Sequence, residues 1–405
     1  MKSMQPDKTQ FELSAALATL ALALVLAIPT IASHFTDHLA RSSWEKRPLT
    51  PFPTLWNGTD GGFFADLELF IDDHIGLALE LNQVYRKLKF NVYRDSPMAN
   101  ILLGEDEFIF LGSHSTRKPY NALNILCVEA AQRPVEPSIR GGIAALTKWA
   151  MDLEMRPSFA IFPSKPVLYP EKLPSSVPPR YQSACRNYSG RPNLPSQLAQ
   201  EWPDYIYYPL QHFAELKEQP YFYPPASFHA NGQSAHEFAR GFLSMINIDV
   251  GPAFDLDPTV KAINADMKVM GFTRQINIWT YRYRDFGVVM HNHQPEWIKS
   301  YYPRARDFAH FQTRRPASSR TALLLSNSFG SFVAPHLAPG FKDLYHINVN
   351  YLAAENTQAL LTAILENYPI TDLIYLAHDG GLMNNFKLNQ LSNGLQGIVA
   401  EKQAK

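Results

Sequence analysis

The hydrophobic pattern divides this chain into three stretches: a continuous apolar run near the amino terminus, a middle of mixed periods, and a carboxyl-terminal part in which strands and helices alternate. The apolar run, Phe11 to Ser33 (FELSAALATLALALVLAIPTIAS), carries Glu12 as its one charge. At a rise of about 1.5 Å per residue, roughly twenty such residues cross the hydrocarbon of a bilayer. Lys2 and Lys8 precede it against Asp7, a weak bias in the positive-inside sense. We read it as an uncleaved membrane anchor. A cleaved signal segment, with Thr30-Ile31-Ala32 as its small-residue site, is the other reading. Both place the chain from about residue 35 onward outside the cytoplasm.

In the middle stretch, Phe64, Leu67, Phe70, Ile71 and Ile75 recur at helical spacing and predict a helix over Phe63–Phe90. Ile101-Leu102-Leu103 and Phe108-Ile109-Phe110 flank a Gly-acid cluster and predict a hairpin. Ser138–Leu153 predicts a helix with Ile143, Leu146 and Trp149 on one stripe. Arg156–Pro163 (RPSFAIFP) predicts a short strand, followed by a proline-punctuated loop from Ser164 to Pro174 and an irregular excursion over 175–200. Leu210–Lys217 and Ser234–Leu243 predict short helices. Residues 250–315 are rich in Tyr, Arg and His and hold no persistent period.

From Arg320 the alternation is regular. Thr321–Ser326, Asp343–Val349 and Thr371–Ala377 predict strands, and Phe329–Leu337 and Thr357–Asn367 predict helices. Strand–helix–strand alternation implies crossover connections and a parallel sheet flanked by helices, an α/β fold that the Arg156–Pro163 strand can join. The expected organisation is a leader with anchor or signal segment over 1–34, one domain over 35–395, and a tail over 396–405.

Composition narrows the function classes. A chain of 405 residues that is 46% hydrophobic buries a sizeable core. Lys+Arg and Asp+Glu are both 37, so no basic excess of the whole molecule points to nucleic acid. The 31 prolines predict long ordered loops, and the abundant aromatics suit surfaces that stack on sugar rings. Cys127 and Cys185 could pair in an oxidising compartment or stay as buried thiols in a reducing one. His291-Asn292-His293 lacks a clear third ligand, so neither a metal nor a cofactor is expected.

The sharpest chemical feature is RTALLLSNSFGS, Arg320–Ser331. Its apolar run stops at Ser326-Asn327-Ser328-Phe329-Gly330, the pattern of a buried strand delivering a serine at its carboxyl end, where open α/β sheets place their sites. Acyl transfer by serine needs a base, a group that orients the base, and donors for the oxyanion. Ser328 is the candidate nucleophile, and His229, in the polar turn Ser227-Phe228-His229-Ala230-Asn231-Gly232, is the candidate base. The Ser328 N–H, with a side-chain amide from Asn327 or Asn231, is the candidate oxyanion site. Lys165 and Tyr169 in the proline-rich loop are candidate substrate contacts.

Four segments together carry a family resemblance: Phe70-Ile71-Asp72-Asp73-His74-Ile75-Gly76 with the Gly104–Phe110 hairpin; Ile161-Phe162-Pro163-Ser164-Lys165 through Tyr169-Pro170-Glu171-Lys172-Leu173-Pro174; Leu216-Lys217 with Gln219-Pro220-Tyr221-Phe222-Tyr223; and the Ser328 turn. They resemble the periplasmic alginate O-acetyltransferases of the AlgJ/AlgX type. The resemblance implies an SGNH-hydrolase-like fold and a periplasmic domain held at the inner membrane by its amino-terminal helix. It further implies a serine acetyl-enzyme that acetylates a secreted, alginate-like exopolysaccharide, with acetyl groups supplied by a multi-spanning membrane acyltransferase.

Three departures stand out. Glu107 occupies the place of the second glycine in the hairpin motif "G-x-D-G-[WF]-L-F", Ser227 the place of the aspartate that orients the histidine in "D-x-H-W-N", and Asn327 that of the aspartate in "D-S-[FY]". Without that orienting acid, a weak Ser–His dyad, an acid from elsewhere (Asp379, Asp255 or Asp257), and a non-catalytic scaffold or polysaccharide-binding component all stay open. So does a simple esterase, because water can replace the sugar hydroxyl.

Overall fold

The computed structural model describes residues 16–20, 22–24, 27–28, 31–32, 49–53, 62–76, 78–98, 100–113, 120–130, 137–255, 258–264, 275–291, 294–301, 308–383 and 386–404. They form two compact units, residues 1–97 and 98–405, where a single domain over 35–395 was expected.

In the first unit the expected helix over 63–90 is two helices, α1 (Gly62–His74) and α2 (Ala78–Asn91), interrupted at Ile75-Gly76. Asp73 of α1 is buried and accepts the backbone N–H and the hydroxyl of Thr50 at 2.7 and 2.8 Å. Of the apolar run 11–33, residues 16–20, 22–24, 27–28 and 31–32 are helical, and the rest lies outside the described residues. Among the described residues no helix is long and apolar enough to cross a membrane.

The second unit opens with the expected hairpin, β1 (Ile101–Leu103) and β2 (Ile109–Leu111), with Ile101 opposite Leu111. Asp106 and Glu107 in its turn have φ of +50° and +64°. The left-handed region suits glycine, which explains why a glycine motif fits this turn and why two acidic side chains there carry strain.

Helix α3 (Pro137–Asp152) leads into β3 (Arg156–Phe162). After β4 (Ile206–Tyr207) comes α4 (Gln233–Met245), and then the segment whose sequence shows no period. That segment holds a separate hairpin, β5 (Thr259–Asn264) with β6 (Gln275–Thr280), and two short strands, β7 (Val288–His291) and β8 (Phe308–Thr313). The regular part follows as β9 (Thr321–Ser326), α5 (Gly330–Leu337), β10 (Asp343–Asn348), α6 (Ala354–Asn367), β11 (Asp372–His378) and α7 (Phe386–Gln403).

The central sheet has the order β4-β3-β11-β9-β10-β8-β7. The first five strands are parallel; β3, β11, β9 and β10 were expected, and β4 was not. β8 and β7 are antiparallel at one edge, so the sheet is mixed. Their exposed, alternating positions carry a weaker apolar signal than the buried strands, which is why the segment could not be assigned from periodicity.

Alternate residues of each buried strand face opposite helical layers. Leu324, Leu344, Ile374 and Leu376 pack with Phe238 and Phe242 of α4 and Val333 and Leu337 of α5. Leu323, Leu325, Ile347 and Leu373 pack with Ile143 and Leu146 of α3, Leu361 of α6 and Leu391 and Leu395 of α7. The α7 helix runs through the expected tail as far as Gln403, and within it Ile398 and Val399 are buried in the core.

Cys127 and Cys185 are bonded, tying the helical turn 124–129 to the helix Pro179–Arg186. With a sequence separation of 58, the chain-entropy argument gives the bridge about 4 kcal/mol as an upper value. Replacing both cysteines by alanine is expected to lower unfolding free energy by about 2–4 kcal/mol in a urea titration, and adding reductant to the native protein to approach the same value.

Candidate active site

At the carboxyl end of β9 the sheet changes direction, with β10 on one side and β11 on the other. Open α/β sheets form their crevices at such a point. A cavity of about 470 Å³ lies there, lined among others by His229, Asn327, Ser328, Phe329, His378 and Lys387.

The serine turn is built from its neighbours. Asn327 Oδ1 accepts the Phe329 N–H at 3.1 Å, and the Asn327 carbonyl accepts the Gly330 N–H at 3.1 Å. The chain thereby swings from β9 into α5 within three residues. Gly330 is required by a close approach, since a Cβ there would lie 1.8 Å from Ser326 Oγ. Ser326 donates to the Asn327 carbonyl at 2.7 Å, and its Oγ lies 2.8 Å from His346 Nε2. This second serine–histidine pair is sealed in the core, where burial pushes the His346 pKa down to about 4. It supports the turn and cannot meet a substrate.

The histidine turn is held from below by Lys165. Its side chain is 1% exposed, and Nζ donates to the carbonyls of Pro224 (2.6 Å), Pro225 (2.7 Å) and Ser227. The ammonium also lies 5.0 and 5.1 Å from the ring centres of Phe108 and Tyr223. Tyr223 donates to the Phe228 carbonyl at 3.1 Å. Gly232 closes the turn with φ +59°, and a Cβ there would sit 2.6 Å from the Trp279 carbonyl oxygen. The His229 ring is packed by Phe228, Phe332 and Phe329 at 4.4, 4.8 and 5.4 Å between centres.

These two turns bring Ser328 and His229 together: His229 Nε2 is 3.0 Å from Ser328 Oγ. Asn327 Nδ2 and the Ser328 N–H have no acceptor among the described residues, and both border the cavity. Asn231 is placed elsewhere: its buried amide donates to Ser227 Oγ at 3.0 Å and to the His229 carbonyl at 3.4 Å. It shapes the turn, which excludes it as an oxyanion donor.

Ser227 is buried, and its single hydroxyl proton goes to the His229 carbonyl at 3.2 Å. A carboxylate could not make that bond, so the local turn suits serine where the resemblance has aspartate. Lys165 and Tyr169, expected as substrate contacts, have partners within the fold. Lys165 is buried on carbonyls, and Tyr169 is buried with its hydroxyl donating to the Lys217 carbonyl at 2.8 Å. Burial raises the Tyr169 pKa further above the usual phenol range.

Asp379 does not serve as the orienting acid. It is fully buried and accepts from Ser164 Oγ (2.6 Å), Ser164 N–H (3.2 Å), Tyr208 OH (3.0 Å) and its neighbour Gly380 N–H (2.8 Å). The Asp255 side chain and the whole of Asp257 lie outside the described residues, as do Asn292 and His293. Among the described residues no cluster of three or more His, Cys, Asp or Glu could hold a metal. The sequence reading missed His378 and Lys387 as cavity residues. His378 is the last residue of β11, and Ser328 stands two residues past β9; that position at a strand's carboxyl end was the available signal. His378 Nδ1 accepts the Gly381 N–H at 3.1 Å, so the neutral ring carries its proton on Nε2.

A second cleft, of about 480 Å³, lies behind Phe332, whose ring stacks on His229. Trp279, Tyr281 and Tyr283 line it together with Arg282 and Arg284. Both arginines are exposed, and neither guanidinium has an ion pair among the described residues. Gly287 also lines the cleft, and the exposed Arg314 packs over it.

Burial pushes the Asp379 pKa from 3.8 up to about 6, partly offset by its four donors. A carboxyl raised in the folded state contributes stability that is fully present below the unfolded pKa and is lost as pH rises through the folded one. Unfolding free energy is therefore expected to fall between pH about 4 and about 6.5, measured in denaturant. Asp379→Asn removes that slope, and it costs about 2 kcal/mol because an amide NH₂ turns toward donors.

No protein-family model matches the chain, and no curated protein sequence does. Several solved structures are similar to it. PatB1 of Bacillus cereus is 16% identical with a TM-score of 0.44, over 70% of this chain and 96% of that one. A DHHW family protein from Eubacterium siraeum is 13% identical with a TM-score of 0.42, over 64% and 88%. The O-acetyltransferase domain of Pseudomonas putida AlgJ is 12% identical with a TM-score of 0.40, over 73% and 99%. The AlgJ/AlgX type, which the four short motifs resemble, is represented among these structures.

Proposed function

We propose that this chain is a periplasmic O-acetyltransferase that moves acetyl groups onto hydroxyls of an acidic, alginate-like exopolysaccharide through a Ser328 acetyl-enzyme. The observation that carries this reading is the 3.0 Å approach of His229 Nε2 to Ser328 Oγ at a cavity on the carboxyl edge of the sheet.

In the first half-reaction neutral His229 takes the Ser328 proton as Oγ bonds to the acetyl carbonyl carbon. The carbonyl oxygen becomes an oxyanion facing the Ser328 N–H and Asn327 Nδ2. Collapse breaks the bond to the leaving group of the donor, which departs with the proton from His229. In the second half His229 takes the proton of a sugar hydroxyl, the sugar oxygen attacks the acetyl-enzyme, and Ser328 leaves with that proton. No cofactor enters. Ser227 cannot stabilise the imidazolium, and loss of the orienting carboxylate costs about 10⁴ in kcat in serine proteases. A Ser–His pair without such an acid turns over slowly.

The second cleft supports a polysaccharide acceptor. Its aromatic rings suit sugar faces, and Arg282 and Arg284 suit carboxylates. The disulfide supports a compartment outside the cytoplasm. The apolar run 11–33 supports an inner-membrane anchor beside a multi-spanning acyltransferase that supplies acetyl groups. The uncharged Ser227 favours a second reading, a non-catalytic scaffold of an exopolysaccharide modification complex.

Mixing the protein with p-nitrophenyl acetate decides between them. The enzyme gives a nitrophenolate burst and one acetyl group on Ser328; Ser328→Ala abolishes both, and His229→Ala slows the burst by about 10²–10⁴. Absence of any acetyl on Ser328 supports the scaffold. With an acidic oligosaccharide added, acetylated sugar marks a transferase and free acetate alone marks an esterase. Combining Arg282→Ala with Arg284→Ala is expected to raise the KM for that oligosaccharide about tenfold at low salt, with the difference shrinking near 1 M salt.

A further inference from the structure

We infer that a small apolar pocket opening off the catalytic cavity is an acyl pocket that limits the transferred group to short chains. The inference rests on the serine acyl-transfer reading above and adds the chemistry of the donor to it.

Four residues, Leu111, Phe228, Phe329 and His378, line both this pocket and the catalytic cavity. Phe228 is the chain neighbour of the base and Phe329 that of the nucleophile, so the two spaces meet beside the reacting atoms. Beyond the shared wall the pocket is bounded by Ala122, Leu126 and Pro166, with Ser164, Lys165 and Gly380 completing its lining. Its volume is about 40 Å³. A single water needs about 10–15 Å³ on this measure, so the pocket takes about three heavy atoms. An acetyl or propionyl tail fits, whereas a tail of six or more carbons does not.

The direction is chemically consistent. Asn327 Nδ2 lies against Gly381, since a Cβ on that glycine would be 2.7 Å from it. The carbonyl oxygen of a bound acyl group is therefore directed toward the Asn327–Gly381 side. Its alkyl tail then has the aromatic wall of Phe228 and Phe329 beside it. The pocket does not widen easily: Leu126 sits next to Cys127, whose bond to Cys185 fixes that turn. Gly380 closes another side, and a Cβ there would stand 3.2 Å from His378 Cε1 and 3.9 Å from Leu126 Cβ.

The test follows acylation of Ser328 in the full chain by mass spectrometry, using p-nitrophenyl acetate, butyrate and octanoate. The wild-type protein is expected to be acylated by octanoate at least tenfold more slowly than by acetate. Leu126→Ala, which lengthens the pocket, is expected to bring octanoate within about threefold of acetate. Ala122→Val, which shortens it, is expected to slow butyrate more than acetate. Circular dichroism of each variant establishes that it is folded, and the opposite directions of the two substitutions separate pocket length from general damage. Equal acetate and octanoate rates in the wild type, or the same chain-length profile in all folded proteins, overturns the pocket while leaving the acyl-enzyme intact. No acylation of Ser328 by any ester overturns the underlying reading and the pocket with it.

Discussion

One buried cation organises this molecule. The Lys165 ammonium lies beneath the turn that carries His229 and binds three carbonyls of residues 224, 225 and 227. Burying a charge is costly unless donors and acceptors satisfy it, and burying three carbonyls without a donor is costly as well. Each solves the problem of the other. The turn gains its shape from the lysine, the lysine gains its solvation from the turn, and the imidazole is aimed two residues further on. Because Lys165 follows β3 and Ser328 follows β9, the sheet itself helps set the distance between His229 and Ser328.

Much of the fold was legible in the sequence, and the reason lies in burial. β9, with every residue buried, is read from its apolar run to the residue. β3, β10 and β11 and the helices α3 to α6 follow for the same reason, whereas β4, of two residues, and α7 were not read. α1 and α2 were merged because their apolar spacing continues across Ile75-Gly76. β5 to β8 were missed because half-exposed strands of four to six residues, interleaved with Tyr and Arg, leave no period to detect. The strand pattern and the motifs pointed to Ser328 and His229, but neither could tell a ligand-facing lysine from a buried one. Lys165 and Tyr169 sit in a motif-bearing loop, and their direction depends on what the fold packs over them.

The region around Ser328 has three spaces with separate chemistry. The central cavity is lined by Ser328 and His229 and by Asn327. The aromatic and arginine-lined cleft meets it across the Phe332 ring. The small apolar pocket meets it across Phe228 and Phe329. Phe228, Phe329 and Phe332 thus surround the His229 ring on several sides, and the low dielectric they create strengthens the hydrogen bonds made beside them. The substitution of serine for aspartate at 227 changes the electrostatics behind the ring without changing this arrangement.

The strand order also dictates when the molecule can fold. β11 lies between β3 and β9 in the sheet, yet it follows both of them in the chain. A growing chain that has already produced β3 and β9 therefore lacks the strand that joins them, and α7, which packs on one face of the core, comes later still. Such a chain has little to fold into prematurely, so closure of the sheet waits on contacts between segments far apart in sequence.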